Sequence, residues 1–378
     1  MESQYTKEIE TPRRGEGMKI KIITIHCLHN FGSVYQASAL QRYLLDNGYD
    51  VEIIDYRPAY FSSGRNRFKT YVGRLLNYDA YVIRKKKFEK FISKYMVLTI
   101  EQYQEFDKLQ SFENTADVFI AGGDQLWNDY HFSGQDPAYK LAFVTKGQKI
   151  AFGTSMGRDN YTEVEIKKII SAVHNFRFIG LREKTSVNFL KSGGLENVAH
   201  VVDPVLLLDK SFYENNAIKP KMERYALLYL VDKSPLLDAA VEYITRTLKL
   251  KIVHVCGFKK KCRCDYFLKD SGPGEILGLL MYAEFVISAS FHATLFSILF
   301  NKNFVSLLPH ENTNARITEL LDYVGLKQRI ISNEKNLKVI SEPVKYDNAN
   351  RVIEDISKNS RALLIETLKA IVRDREWD

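Results

Sequence analysis

The sequence predicts an α/β protein made of two Rossmann-like domains that face a cleft. Short runs of β-branched residues alternate with amphipathic segments from Lys19 onward, a pattern typical of parallel sheets covered by helices. The chain has 378 residues, and single hydrophobic cores stop growing near roughly 250 to 300 residues. A Lys-Pro-Lys stretch at 219–221 separates a first set of alternating strand-like and helix-like segments from a second set, so two domains are expected.

The first alternation predicts six strands and three helices. Apolar residues at Val34, Ala37, Leu40 and Leu44 have the spacing of a helix packed on one face, which ends before Gly48. Further helices are predicted over 81–95 and 162–174. The predicted strands cover 20–25, 51–55, 118–121, 149–153, 178–182 and 199–203.

The second alternation predicts a smaller sheet and a closing helical segment. Its strands are expected at 225–231, 251–256, 285–289 and 304–308, with a helix over 236–247. Residues 350–373 predict one or two helices that cover both domains. The expected organisation is a disordered extension (1–17), an N-terminal domain (18–210), a C-terminal domain (211–345) and C-terminal helices (346–378).

Composition favours a globular cytoplasmic protein without a metal centre. Apolar residues make up 45% of the chain and charged residues 26%, as in ordinary soluble domains. Residues 1–17 are polar and lack the apolar stretch of a signal peptide. The longest apolar segments are shorter than the roughly 20 residues of a membrane span. The four cysteines, at 27, 256, 262 and 264, form no paired C-x-x-C motifs.

The net charge of +8 favours anionic partners in general. It is modest for this length, and no stacking or groove-reading motif accompanies it, so nucleic acid is not an expected partner. Basic clusters occur at 84–87 and 259–261, each expected to be a solvated helix face or loop tip. The first could also lean against a membrane surface that carries a lipid-linked substrate.

The segment 285–304 points to an anionic ligand. An apolar strand runs into a turn at Ser290, Phe291 and His292, and an apolar helix follows from Ala293. The start of such a helix directs free backbone N–H groups and a positive dipole end at the space above the strand. His292 is either a titratable group in that site or a hydrogen-bonded packing histidine.

A second strand end carries cations. Arg182 follows the fifth strand, where a guanidinium can grip phosphate or carboxylate with two hydrogen bonds. Lys184 adds a point charge. The structural alternative is an ion pair between Arg182 and Glu183 or a carboxylate of the other domain.

The ends of strands one and three carry small and polar residues suited to sugar hydroxyls. Asn30 offers hydrogen bonds beside Gly32 and Ser33, or these residues simply cap the next helix. Asp124 and Gln125 could hold hydroxyl groups. Trp127 either offers a ring face to a sugar or packs under its loop.

Six motifs in order resemble the polysaccharide pyruvyl transferase family, over about residues 19–331. They are NFGSVYQASAL from Asn30, AGGDQLWN from Ala121, GLREKTSVNFL from Gly180, VVDPVLLL from Val201, SFHATLFSILFNKNFVSL from Ser290 and ARITELLDYVGLKQRII from Ala315.

The resemblance implies a fold like the two-domain glycosyltransferase-B architecture. It also implies transfer of pyruvyl from phosphoenolpyruvate to a sugar with two nearby hydroxyls, giving a cyclic ketal on a cell-surface polysaccharide or its precursor. The acceptor would be a glycan or a lipid-linked oligosaccharide, met in the cytoplasm or at the inner face of the membrane. Arg182 resembles the family's arginine for the donor, and His292 its histidine at the reacting centre.

Two positions depart from the family's pattern. Many relatives have an arginine where this chain has Ser290, and a glycine where it has Ala293. Lys184, Arg316 or the helix start would then supply the missing cation. The expected donor site comprises Arg182, Lys184, Ser290, His292, Ala293 and Arg316, and the expected acceptor site Asn30, Gly32, Ser33, Asp124, Gln125 and Trp127.

We expect His292 to act as general acid or base and Arg182 to hold the donor, with no metal or cofactor. Two alternatives remain open. One is a nucleotide-sugar glycosyltransferase on a similar scaffold, and the other is a catalytically silent glycan-binding relative. Residues 60–74, rich in aromatic and basic side chains, are either an acceptor loop or a mobile surface loop.

Overall fold

Two parallel sheets with interleaved helices make up the computed structural model, which describes residues 17–63, 75–110, 116–230, 234–308 and 315–375. Every strand pairing in both sheets is parallel. The predicted fold class, two Rossmann-like units with a glycosyltransferase-B-like arrangement, is confirmed.

The first sheet has the order β3-β2-β1-β4-β5-β6-β7. Three of its strands, over 118–122, 148–154 and 178–181, are buried almost throughout, as expected where helices cover both faces of a parallel sheet. They are β1 (Lys19–Ile23), β2 (Asp50–Tyr56), β3 (Leu98–Tyr103), β4 (Val118–Gly122), β5 (Gln148–Thr154), β6 (Phe178–Leu181) and β7 (Val198–His200).

The second sheet has the order β10-β9-β8-β11-β12-β13. Its three central strands, β8, β11 and β12, are buried almost throughout. The strands are β8 (Tyr225–Tyr229), β9 (Lys251–Val255), β10 (Tyr266–Leu268), β11 (Phe285–Ser288), β12 (Asn303–Leu307) and β13 (Ile330–Ile331).

Helices connect the strands and close the molecule. They are α1 (Phe31–Asp46), α2 (Tyr60–Ser63), α3 (Tyr78–Tyr95), α4 (Phe106–Gln110), α5 (Phe132–Gln135), α6 (Glu163–Val173), α7 (Lys184–Ser192), α8 (Lys210–Asn216), α9 (Leu237–Thr247), α10 (Pro273–Tyr282), α11 (Phe291–Leu299), α12 (Ala315–Tyr323) and α13 (Asp347–Arg375). Short 3-10 turns cover Pro137–Lys140, Pro204–Leu207, Lys327–Arg329 and Glu334–Ser341.

Helix α1 joins the two sheets. The ring centroid of Phe31, the first residue of α1, lies 5.1 Å from that of Phe296 and 6.0 Å from that of Tyr229, both in the second unit. Tyr35 packs 5.6 Å from the same Phe296. Because α1 is covered by its own sheet on one side and by the second unit on the other, even its polar residues Gln36 and Gln41 are fully buried.

Helix α13 crosses both units as one continuous helix. Ser360 Oγ accepts the backbone N–H of Val202 at 3.0 Å, which ties the helix to the first unit. Its apolar residues Leu364, Leu368 and Ile371 are buried in the core that also contains Phe296.

Three strands were missed from the sequence. The edge strand β3 exposes most of its residues, so its apolar pattern is weak. The strands β10 and β13 span three residues and two residues. Residues 1–16 and 64–74 lie outside the described residues. The predicted N-terminal extension (1–17) and the predicted acceptor loop (60–74) therefore fall almost entirely or mostly outside them.

Candidate functional site

The ends of four parallel strands meet between the two units. Asp124 follows β4, Arg182 follows β6, Asp203 follows β7, and His292 stands in the first turn of α11, directly after β11. Ligands of open parallel sheets bind at this edge, because loops there are free to vary while the strands hold them in place.

Arg182 and His292 share one carboxylate. Arg182 Nη1 donates to Asp203 Oδ2, and His292 Nε2 lies 3.4 Å from the same oxygen. All three side chains are buried. Burial acts to raise the pKa of Asp203, but the His292 imidazole and the Arg182 guanidinium outweigh it and hold that pKa well below its usual range. The two predicted catalytic residues therefore come together across the interface.

Gly32 is the point of closest approach between α1 and His292. A Cβ atom on Gly32 would lie 2.0 Å from His292 Nδ1, far inside contact distance. The other ring nitrogen, Nε2, is buried and has no hydrogen bond to any described residue. The imidazole is thus held against backbone at Nδ1, and its Nε2 faces the Asp203 carboxylate at 3.4 Å.

Asp124 stands in a strained turn at the centre of the site. Its φ of 47° lies in the left-handed region that side chains rarely adopt. Ser33 Oγ donates to Asp124 Oδ2 at 2.6 Å. Asp124 Oδ1 lies 4.0 Å from Arg182 Nη2 and 3.9 Å from Arg316 Nη1. Although burial opposes ionisation, His292 and the two guanidiniums keep the pKa of Asp124 below its usual value.

Two guanidiniums flank one aromatic ring. Arg182 Cζ lies 4.8 Å and Arg316 Cζ 5.6 Å from the centroid of the Phe291 ring. Burial, followed by repulsion from Arg182, lowers the pKa of Arg316 to about 10. Arg182 Nε and Nη2 and Arg316 Nε are buried without a hydrogen-bond partner among the described residues. An anion between the two guanidiniums would satisfy these donors and relieve their repulsion.

A cavity of about 300 Å³ opens beside these guanidiniums. Its walls come from both units and from α13, and they are more apolar than polar. His292 is not among the described residues that line it; it lies across Asp203 from the cavity. The lining residues are Arg182, Glu183, Lys184, Thr185, His200, Val201, Val202, Asp203, Leu206, Phe291, Leu295, Arg316, Glu319, Leu320, Asp322, Tyr323, Val324, Ile353 and Ile356.

The remaining donor candidates lie around this centre. Lys184 lines the cavity and places Nζ 4.1 Å from the centroid of the Tyr323 ring. Ser290 precedes α11, and its backbone N–H donates to Ser288 Oγ at 3.0 Å. Ala293 is fully buried in the first turn of that helix.

The acceptor candidates fall into two groups. Ser33 and Gln125 belong to the site, since Ser33 holds Asp124. With its amide oxygen turned toward Arg316, Gln125 accepts from Arg316 Nη2 at 2.5 Å. The exposed Asn30 acts as a helix cap, with Oδ1 accepting the backbone N–H of Gly32 at 2.9 Å.

The prediction that Trp127 lines an acceptor site is wrong. Its side chain is 1% exposed. The indole Nε1 donates to the Tyr139 carbonyl at 2.9 Å, and the ring packs edge-on 5.9 Å from Phe176. Trp127 therefore belongs to the core beneath the loop, and neither face of its ring is open to a sugar.

Sequence reasoning missed three residues of the site. Asp203 is only the last residue of the strand predicted over 199–203, and no local pattern shows which side chains its carboxylate holds. Nothing in the sequence marked Phe291 as the ring between two guanidiniums, or Glu319 as a lining residue. These roles depend on how α11 and α12 pack against the first unit.

The basic cluster at 84–87 is partly engaged inside the protein. Arg84 is buried and donates from Nη2 to the His29 carbonyl at 2.9 Å. Lys87 Nζ bonds to Glu275 Oε1 of the second unit at 2.7 Å. The expectation of a solvated face therefore fails for these two side chains, and any membrane contact would rest on Lys85 and Lys86.

Two features are not found in the described parts of the chain. No described helix is long and apolar enough to cross a bilayer. No three histidine, cysteine, aspartate or glutamate side chains within the described ranges are grouped so that they could hold a metal ion.

A family model described as polysaccharide pyruvyl transferase matches residues 30–311, more than half of the chain. No curated protein matches it by sequence. The fold is similar to those of several solved structures. One is the UDP-GlcNAc 2-epimerase from Neisseria meningitidis bound to UDP-GlcNAc, with a TM-score of 0.52, 9% identity, and coverage of 93% of this chain and 100% of that one.

Two other epimerase structures are similar over most of this chain. The UDP-N-acetylglucosamine 2-epimerase from Rickettsia bellii gives a TM-score of 0.50 at 14% identity, covering 96% of this chain and 100% of that one. The UDP-GlcNAc 2-epimerase from Methanocaldococcus jannaschii gives a TM-score of 0.50 at 13% identity, covering 90% of this chain and 100% of that one. Identities this low indicate a shared two-domain fold and nothing about the reaction.

Proposed function

Because the chain belongs to the polysaccharide pyruvyl transferase family, we propose that it transfers the pyruvyl group of phosphoenolpyruvate to a sugar, forming a cyclic ketal. The sugar is part of a cell-surface polysaccharide or of its precursor. The observation that carries the proposal is the pair of guanidiniums beside Phe291, buried Arg182 and largely buried Arg316, which have buried N–H groups without hydrogen-bond partners among the described residues.

The donor is a small molecule with two anionic groups, a carboxylate and a phosphate. Two guanidiniums with open donors suit such a molecule, because each can form charge-assisted hydrogen bonds with one group. Arg316 takes the role of the arginine that many relatives have in place of Ser290. Asp124 and Asp203 hold the guanidiniums in position when the donor is absent.

His292 supplies the proton. In this scheme the imidazole gives a proton to the C3 methylene of phosphoenolpyruvate, and the Asp203 carboxylate, 3.4 Å from Nε2, holds the ring in position. C2 becomes electrophilic, and an acceptor hydroxyl oxygen adds to it. The bond between C2 and the phosphate oxygen then breaks, and the second hydroxyl closes the ketal. Of the two hydroxyl protons, one replaces the proton given to C3 and the other leaves with the phosphate.

Positive charge develops at C2 twice in this scheme, once when C3 is protonated and again when phosphate leaves. The phosphate carries negative charge away. Buried guanidiniums stabilise the departing phosphate more than they would in water, because the site excludes solvent and the donors are already oriented. Asp124, which Ser33 holds at 2.6 Å, and Gln125 lie beside the guanidiniums and would contact the reacting hydroxyl groups where these meet C2.

The test is phosphate release from phosphoenolpyruvate in the presence of a panel of free and lipid-linked glycans, with the product checked by mass. A parallel panel of UDP-sugars tests the alternative of a glycosyltransferase. We expect phosphate release and a ketal product with at least one glycan. Release of UDP from a UDP-sugar, with phosphoenolpyruvate left intact, would favour the alternative. Glycan binding without turnover of either donor would favour a catalytically silent relative.

A further inference from the structure

We propose that the cavity between Arg182 and α13 is the subsite for the ring of the acceptor sugar, and that Glu183 and Glu319 receive its hydroxyl groups. This inference rests on the proposed function. Three observations carry it: two buried carboxylates with an open oxygen, a largely apolar wall, and a volume suited to one small ligand.

Glu183 keeps one oxygen free. Its side chain is almost completely buried, with 1% of the residue exposed. Oε2 accepts the backbone N–H of Met156 at 3.3 Å and the hydroxyl of Ser186 at 3.4 Å. Oε1 is buried and makes no well-aligned hydrogen bond to a described residue, with the Ser155 hydroxyl as the polar group near the carboxylate. A carboxylate oxygen in that state is costly unless a ligand donates to it.

Glu319 has the same arrangement from the other unit. Its Oε2 accepts the backbone N–H of Thr185 at 3.4 Å, so a residue of α12 holds the start of α7. Its Oε1 is buried and has no partner among the described side chains and backbone groups. Both glutamates line the cavity, and each contributes one open acceptor from a different unit.

The cavity combines open acceptors with open donors. Arg182 and Arg316 line it and carry unpartnered N–H groups, while the two glutamates carry unpartnered oxygens. Sugar hydroxyls both donate and accept, so one ring can satisfy both kinds of group. A trianion occupying the whole cavity would face Glu183, Glu319 and Asp203, so we assign to the donor only the space next to the guanidiniums.

The apolar part of the wall suits the C–H face of a sugar ring. Leu295, Leu320, Ile353 and Ile356 line it, and Tyr323 adds an aromatic ring. The cavity volume of about 300 Å³ lies at the lower end for ligand sites. It therefore fits a single sugar residue, with the rest of the glycan outside.

The experiment compares three variants by steady-state kinetics with phosphoenolpyruvate and the best acceptor from the glycan panel. Glu319→Gln keeps the shape but removes the charge, and Ile353→Phe fills the cavity from α13 without adding or removing a polar group. Glu354→Gln, on the exposed face of α13, is the matched control. We expect the acceptor KM to rise at least about tenfold in the first two, with the KM for phosphoenolpyruvate and the control unchanged.

A binding measurement separates this inference from the proposed function. Saturation-transfer NMR without donor, using methyl glycosides of glucose, galactose and N-acetylmannosamine as probes, should show a sugar signal that both variants weaken. If the KM for phosphoenolpyruvate rises instead, the cavity belongs to the donor and the inference is wrong. Unchanged acceptor KM and sugar signals in both variants would also overturn it. Sugar binding here without turnover of phosphoenolpyruvate would contradict the proposed function alone. Melting temperatures check that Ile353→Phe is folded, and Glu319→Gln keeps the test valid if it is not.

Discussion

Gly32 and His292 come from different units of the fold and touch where no other residue type fits. The backbone of α1 lies directly against the imidazole, and the ring cannot tilt toward it. On the other side, Asp203 fixes the ring through its carboxylate. Two contacts of different chemistry, one steric and one electrostatic, thus position Nε2.

Replacing Gly32 with alanine should lower turnover without removing any group that reacts. The new Cβ would lie 2.0 Å from His292 Nδ1, so the imidazole or α1 must shift. A displacement of about 1 Å at a reacting group can cost roughly 100-fold in rate. Gly17→Ala is the control, because its Cβ would lie 3.4 Å from the nearest atom. Steady-state kinetics that leave Gly32→Ala at the wild-type kcat would show that the contact does not position His292.

Replacing Arg316 with glutamine should chiefly weaken donor binding. The guanidinium lies beside Phe291, with a buried Nε that has no hydrogen-bond partner among the described residues, and charge-assisted hydrogen bonds contribute about 1.5–3 kcal/mol. The KM for phosphoenolpyruvate should rise at least about tenfold. The control is Arg351→Gln, at an exposed position of α13, which should leave this KM unchanged. A KM that stays at the wild-type value would remove Arg316 from the donor site and leave the missing cation to Lys184.

At the scale of elements, the sequence located the strand ends well but not the contacts between them. Strand ends are local, so β-branched runs followed by Asp124, Arg182 and the Ser290 turn predicted which loops meet between the two units. Whether Trp127 packs under its loop or faces the cleft depends on Tyr139 and the core beneath, which no local pattern describes. For the same reason the role of Asp203 could be found only from the packed structure.

Asn30 shows how an expected ligand residue can be a structural cap. Its Oδ1 accepts the N–H groups of Gly32 and Ser33 at the start of α1, and losing such a cap typically costs about 1 kcal/mol. Asn30→Ala should lower the free energy of unfolding by about that amount, measured by denaturant titration. Asn30→Asp should retain it, because aspartate caps equally well. Equal stability of the alanine variant and the wild type would mean that the cap contributes nothing.

At the scale of the whole molecule, the site exists only because the two units are docked. α1 packs on Phe296 of the second unit, Lys87 bonds to Glu275 across the interface, and α13 ties back to Val202. Each contact joins residues far apart in sequence. The sequence therefore predicted two facing units correctly, while the pairing of Arg182 with His292 through one carboxylate had to be observed.

The pH dependence of stability should reflect neutral histidines in both units, of which His254 is fully buried and His200 half-buried. Burial first, then Lys261 and Lys260, lowers the pKa of His254 to about 4, and burial does the same for His200. Between about pH 6.5 and 4 the unfolded chain binds protons on these rings and the folded chain does not, so stability falls as the pH falls. His254→Leu should therefore lose less melting temperature between pH 7 and 5 than the wild type.

Substitution of an exposed histidine provides the control for that experiment. His174→Gln changes an exposed ring at the end of α6, and its melting temperature should follow the wild-type curve. Identical slopes for His254→Leu and the wild type would contradict the assignment of His254 as a buried neutral group.

The most direct measurement runs the reaction in D₂O and follows the ketal methyl group by NMR. If C3 of phosphoenolpyruvate is protonated from His292, the product methyl carries one solvent deuterium, one phosphate is released per ketal, and His292→Ala forms ketal at least about 100-fold more slowly. A ketal methyl without deuterium, or wild-type turnover by His292→Ala, would contradict proton transfer by an imidazole held between Gly32 and Asp203.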